Sequence, residues 1–220
     1  MSEPDDGSAR HERPTATAVA IETLGATAFA LWVSLRFEAP VVWLLVPIAA
    51  LVIRGESATE YGLDVRFRPP SAWAHFGLGA VLLFFYAALH AWFVTAVLGH
   101  RFLPRPLPDP TQLAIELVAE VTAIGIPEEA FFRGYLQKRW DLALGRPWTV
   151  LGASVGPGLL VQSAVFAICH LATGDVTRLR VFFFALLVGW LRARNDSIAA
   201  PAAYHGVANV WYRLVAQNFR

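Results

Sequence analysis

Cysteine is nearly absent: Cys169 is the only one in 220 residues. That excludes an intrachain disulfide and any CxxC metal site. Net charge is equally slight, at +1, and points to neither nucleic acid nor an acidic substrate as a partner. Lysine hardly occurs; the basic set is almost all arginine and falls mostly between apolar runs. There is no internal repeat, no low-complexity segment and no HExxH, so a zincin-type metalloprotease has no support. The N-terminal stretch "MSEPDDGSARHERPTAT" also lacks the layout of a cleavable signal peptide, an apolar core close behind a basic start and ending at a small-residue site. Residues 1–15 are expected to form a flexible polar tail ahead of a first membrane helix.

Apolar residues are abundant. The chain is 56% hydrophobic with a mean hydropathy of +0.47, whereas an ordinary soluble domain has roughly 45–50% apolar residues. The apolar residues come in long runs, which predicts an all-α, polytopic transmembrane bundle rather than a soluble all-α protein with very buried helices. The runs cover about 17–35, 37–53, 72–98, 111–125, 127–144, 150–171, 181–191 and 197–215. With 111–144 taken as one span interrupted at Gly125–Pro127, they make about seven spans. Pro127 suits the first turn of a new helix, and "GPG" at Gly156–Gly158 predicts a broken or late-starting helix. The N-terminal membrane helices and their loops occupy 16–110, and the segment carrying the chemistry occupies 111–217. Alternating the spans puts ten Lys and Arg on the N-terminal side and seven on the other. That excess favours a cytoplasmic N-terminus in a multi-pass membrane protein.

Three polar clusters lie in this oily background, where an ionisable group costs roughly 2.5–3.5 kcal/mol or more. "GIPEEAFFRGYLQ" holds Glu128, Glu129 and Arg133. Glu129 and Arg133 are four apart and share a helix face, while Glu128 lies about 100° around the helix. One carboxylate is thus expected to be held by the arginine and the other left free. An interfacial helix start, with acids favoured by the macrodipole and Arg133 snorkelling, accounts for the cluster as well. "FAICH" ends in His170, four residues after Phe166, and "HGVAN" places His205 and Asn209 on one helix face. Hydrogen bonding between packed helices would explain each of these alone. Taken together, the residue types suit water activation and oxyanion binding. A glutamate can take a proton from water. A histidine and an asparagine can donate to a tetrahedral oxyanion.

"EEAFFR", "FAICH" and "HGVAN" resemble the EExxxR, FxxxH and HxxxN/B motifs of the CPBP family, the CAAX prenyl protease and bacteriocin-processing (Abi-type) intramembrane proteases. The matching core covers about 111–215, and "ATEYGLD" is similar to a stretch that often precedes that core. Within the family, the motif contexts look closest to bacterial members paired with C-terminal sorting signals, exosortase-associated or myxosortase-like. The resemblance implies an active site inside a bacterial inner membrane. Glu128 corresponds to the water-activating glutamate and Glu129 to its partner. His170, His205 and Asn209 correspond to the substrate-polarising or oxyanion residues, and Arg133 and Phe166 to structural support. The implied substrate is a membrane-anchored protein or peptide in the lipid bilayer, cut near its anchored or C-terminal part. The family was long called metalloproteases. No cofactor is expected here, but Glu128, His170 and His205 would supply the ligands if a divalent metal took part.

Other patterns are weaker. "GASVG" at Gly152–Gly156 fits GxSxG formally, but a Ser154 nucleophile needs a strand–turn–helix elbow. Asp175 has no second intramembrane aspartate, and Cys169 and His170, adjacent on a helix, point apart. The rival reading is a non-catalytic bacteriocin-immunity or membrane assembly factor that keeps the polar cluster for packing.

Overall fold

The computed structural model describes residues 13–63 and 71–219, without the side chains of 71–76, 78 and 82. Most of the expected polar tail, and Arg10, Asp64, Arg66, Arg68 and Arg220, lie outside the described residues. The rest is an α-helical bundle. Helix α1 (Ala16–Phe37) starts where the Thr15 hydroxyl accepts from the Ala18 N–H at 3.2 Å. Helix α2 (Val42–Arg54) ends at Gly55 in the left-handed conformation. A short 3₁₀ turn (Ala58–Tyr61) follows, then α3 (Ser71–Trp92), which widens into a π-helical turn at Phe93–Val97.

The next helical run positions the site. It starts at Asp109, whose carboxylate accepts from the N–H groups of Thr111 and Gln112 at 2.8 and 3.3 Å, with Pro110 in the first turn. Helix α4 (Pro110–Ala119) passes into a π stretch (Glu120–Gly125), α5 (Ile126–Glu129), a second π stretch (Ala130–Leu136) and α6 (Gln137–Leu144). The chain passes Gly125–Pro127 without leaving the helix, so the break expected there is absent. Pro127 has no N–H to give, and its ring would crowd the carbonyl of residue 123 in a regular turn. The wider π turn makes room for it. The run is on the order of 45–50 Å long, allowing for its tighter-rising π turns, and its two glutamates fall near the middle.

A small antiparallel hairpin, β1 (Trp148–Val150) and β2 (Ala153–Val155), precedes α7 (Pro157–His170). Helix α7 therefore starts late, at the proline of "GPG". Two 3₁₀ turns (Leu171–Thr173 and Val176–Arg180) lead to α8 (Val181–Asn195) and α9 (Ala199–Ala216). Helix α9 lies directly on the first π stretch because small residues let the backbones meet. A Cβ on Gly125 would stand 2.7 Å from the Ala202 carbonyl oxygen, and one on Gly206 2.9 Å from the Val121 nitrogen.

The interior combines aromatic packing with ions. Trp43 packs on Phe131 and Phe132 at 4.9 and 5.1 Å between ring centroids, and Phe132 packs on Phe166 at 5.0 Å. Beside this core, Glu22 of α1 ties three elements together. It pairs with Arg54 at 2.8 Å and Arg139 at 3.1 Å and accepts from the Tyr135 hydroxyl. The outside is apolar: Leu24 is 72% exposed, Val52 74% and Ile53 84%. A charged interior under an oily surface suits a lipid surrounding. Two helices, Ala16–Phe37 and Gly79–Val97, are long and apolar enough to cross a membrane.

Candidate active site

The two adjacent glutamates have different environments. The Glu129 side chain is fully buried, as is that of Arg133. Arg133 Nη1 donates to Glu129 Oε1 at 2.9 Å, and the same oxygen accepts from His205 Nδ1 at 2.8 Å. Glu128, about a quarter-turn further round, opens onto a cavity and keeps 18% of its side-chain exposure. Its Oε2 has no hydrogen-bond partner among the described residues and lies 3.7 Å from His205 Nε2. With Glu129 as acceptor at Nδ1, the neutral His205 tautomer carries its proton there and turns a lone pair toward Glu128.

Arg133 is packed as well as paired. Its guanidinium carbon sits 4.3 Å from the centroid of the Phe166 ring. Phe166 in turn contacts His170 and His205, at 4.4 and 6.0 Å between centroids, and Phe184 flanks His205 at 5.7 Å. His170 Nδ1 is 2.9 Å from the Phe166 carbonyl oxygen, which can only accept. The neutral His170 ring therefore presents an acceptor, Nε2, on its other side.

Asn209 is oriented by an acid that the motif residues did not single out. Its Nδ2 donates to Glu120 Oε2 at 2.8 Å, and Arg213 pairs with Glu120 Oε1 at 3.1 Å. This fixes which way the amide faces and leaves its second N–H available. The sequence signal was present. Glu120 is an acid inside an apolar helical segment, eight residues and about two turns before Glu128.

Glu128, His170, His205 and Asn209 line one cavity of about 420 Å³. Phe166 lines it as well, and Glu129 and Arg133 stand behind it, sealed off by His205. Counting residues along an unbroken helix sets Glu128 and His170 at different depths. The late start of α7 and the π turns of the long run bring them to the same cavity. Ser154 is elsewhere, exposed and paired with Thr149 in the hairpin. Cys169 is a free, half-buried thiol. Among the described residues no three His, Cys, Asp or Glu side chains are disposed to share a metal ion. The Nδ1 atoms of both histidines are engaged, by Glu129 and by the Phe166 carbonyl, which leaves each Nε2 free.

Residues 110–211 match a protein-family model described as type II CAAX prenyl endopeptidase Rce1-like. No curated protein and no solved structure gives a match.

Proposed function

Residues 110–211 belong to the Rce1-like family of type II CAAX prenyl endopeptidases, and on that premise we propose that the protein is an intramembrane endopeptidase using a water activated by Glu128. The observation that carries this reading is the asymmetry of the two carboxylates. Glu129 is fully buried, neutralised by Arg133 and hydrogen-bonded to His205, while Glu128 lines the cavity, keeps 18% of its side-chain exposure and has no arginine partner.

In the reaction, Glu128 takes a proton as the water oxygen attacks the substrate carbonyl carbon. His205, its ring fixed by Glu129, accepts the other O–H of that water through Nε2, and His170 lines the same cavity. The second N–H of Asn209, oriented by Glu120, donates to the oxyanion that develops on the carbonyl oxygen. Glu128 then returns its proton to the leaving nitrogen as the C–N bond breaks. The products are a new carboxylic acid, which passes its proton to solvent or to the new amine, and that amine; Glu128 is regenerated. No step requires a metal. The substrate is a protein anchored in the same bilayer and cut near its anchored or C-terminal part.

The chain is further proposed to span a bacterial inner membrane about seven times with its N-terminus in the cytoplasm. Short connections between successive helical runs and the arginine excess on the N-terminal side support that topology.

The test is comparative proteomics of membrane-anchored C-termini in cells with the protein, without it, and with Glu128→Gln. Substrates should be trimmed only with the intact protein. Identical C-termini in all three would favour the non-catalytic assembly or immunity role.

A further inference from the structure

Two arginines in the catalytic cavity form no ion pair among the described residues. Arg178 and Arg180, from the 3₁₀ turn before α8, line the same cavity as Glu128 and Asn209. Arg213, also in the lining, is occupied by Glu116 and Glu120 at 3.5 and 3.1 Å. Asp175, the nearest acid in sequence, commits one carboxylate oxygen to the Thr177 N–H and hydroxyl at 2.9 and 2.7 Å. Arg180 is held in place by neutral groups. Its Nη1 donates to the carbonyl and hydroxyl of Thr177 at 3.0 and 2.8 Å, and its Nη2 donates to the Tyr212 hydroxyl at 3.0 Å. Its Nε is buried without a partner. Arg178 makes neither an ion pair nor a side-chain hydrogen bond among the described residues.

Partly buried guanidinium groups held in no ion pair are costly, since exposed Asp175 offers them only a solvent-screened attraction, and a carboxylate is the partner their planar fork fits best. Their place along α9 sets the scale. Tyr212, which holds Arg180, is three residues past Asn209 and seven past His205, so the three lie along one side of the helix. Seven residues is about 10 Å along the axis, about the reach of three extended residues.

We infer that Arg178 and Arg180 form a carboxylate-binding subsite that anchors the free C-terminus of the peptide substrate and sets the bond to be cut over Glu128. The inference rests on the endopeptidase reading and names how that site selects its substrate. A lipid phosphate has similar chemistry, but these guanidinium groups share the cavity with Glu128 and Asn209 rather than standing on the lipid-facing surface.

The experiment measures binding, so it does not depend on turnover. The full chain carrying Glu128→Gln, in neutral detergent, is offered an N-terminally acylated peptide library in two forms, C-terminal acids and C-terminal amides. The acid pool should bind about tenfold or more tightly. Adding Arg178→Gln should remove that preference, and Arg178→Lys should keep much of it. Arg178 is the first choice because it holds nothing else in place, and Arg180→Gln is the second. Indistinguishable affinity for the two pools, undetectable binding included, overturns the inference. So does a preference that survives both Gln variants. Native mass spectrometry supplies the remaining arm. Phosphatidylglycerol retained by the protein and lost in Arg178→Gln, with no acid preference, would assign the arginines to lipid and also overturn it. Acid-selective binding by a protein that cuts nothing would sink the endopeptidase reading and leave the subsite standing. Cleavage without acid preference would do the reverse.

Discussion

Replacing Arg133 with alanine is expected to damage the fold together with the chemistry. Neither Arg133 nor Glu129 has any side-chain exposure. Losing one partner of such a pair strands the other charge and costs about 3–5 kcal/mol. The contact with the Phe166 ring, 4.3 Å from the guanidinium carbon, adds up to about 2 kcal/mol for a desolvated cation–π pair. About 4 kcal/mol is the expected loss. A folded chain typically has only about 5–15 kcal/mol to lose. At roughly 2–4 °C per kcal/mol for a chain of this size, the melting temperature should drop by about 10 °C. The assay is folded yield by size exclusion and melting in detergent for Arg133→Ala, Glu129→Gln and the double variant Glu129→Gln/Arg133→Met. The double variant should recover much of the loss, because no unpaired buried charge remains. Wild-type yield and melting in Arg133→Ala, with substrate cleavage alone abolished, would refute the reasoning and make Arg133 a direct catalytic or substrate-binding residue.

Asn209→Ala should lower kcat by about 10²–10³ while the protein stays folded, as loss of one oxyanion donor does. Glu120→Gln, which keeps an acceptor for the amide, should cost less; single-turnover rates for the pair check both. Gly206→Ala would place a Cβ 2.3 Å from Val121 Cγ2 and 2.9 Å from the Val121 nitrogen. It should destabilise by about 1–3 kcal/mol through overpacking and lower activity in parallel, because the same contact sets His205 against Glu128 and Glu129; melting and cleavage measured together test this.

Hydrophobic runs make most of the helices legible in the sequence. The apolar stretches near 17–35, 37–53 and 197–215 correspond to α1, α2 and α9 with modest shifts at their ends. The hairpin at 148–155 is not legible, because three-residue strands are too short to establish a period and lie inside a run that reads as helix. The winding at Gly125–Pro127 also escapes a sequence reading: a proline after a glycine breaks a helix in isolation, and only packing against α9 stabilises a π turn there. At the site, spacing identifies the residues that share a face within one helix, such as Glu129 with Arg133. It is silent on partners from different helices. Glu120 meets Asn209 across 89 positions, and no local pattern encodes that contact. The arginines of the 3₁₀ turn read as ordinary loop charges in the sequence, and only the fold sets them beside Glu128.

The central claim is that Glu128 activates the water that cuts the substrate. The direct measurement uses purified protein, stripped with a strong chelator, on an acylated peptide drawn from the trimmed C-termini, with products read by mass spectrometry. Stripped wild-type protein should still cleave. Glu128→Gln should keep its melting temperature, since its side chain makes no hydrogen bond or arginine pair among the described residues, and lose about 10²–10⁴ in rate, the usual contribution of a positioned base. Cleavage by Glu128→Gln at the wild-type rate, or activity that vanishes on stripping and returns only with added zinc, would contradict the account.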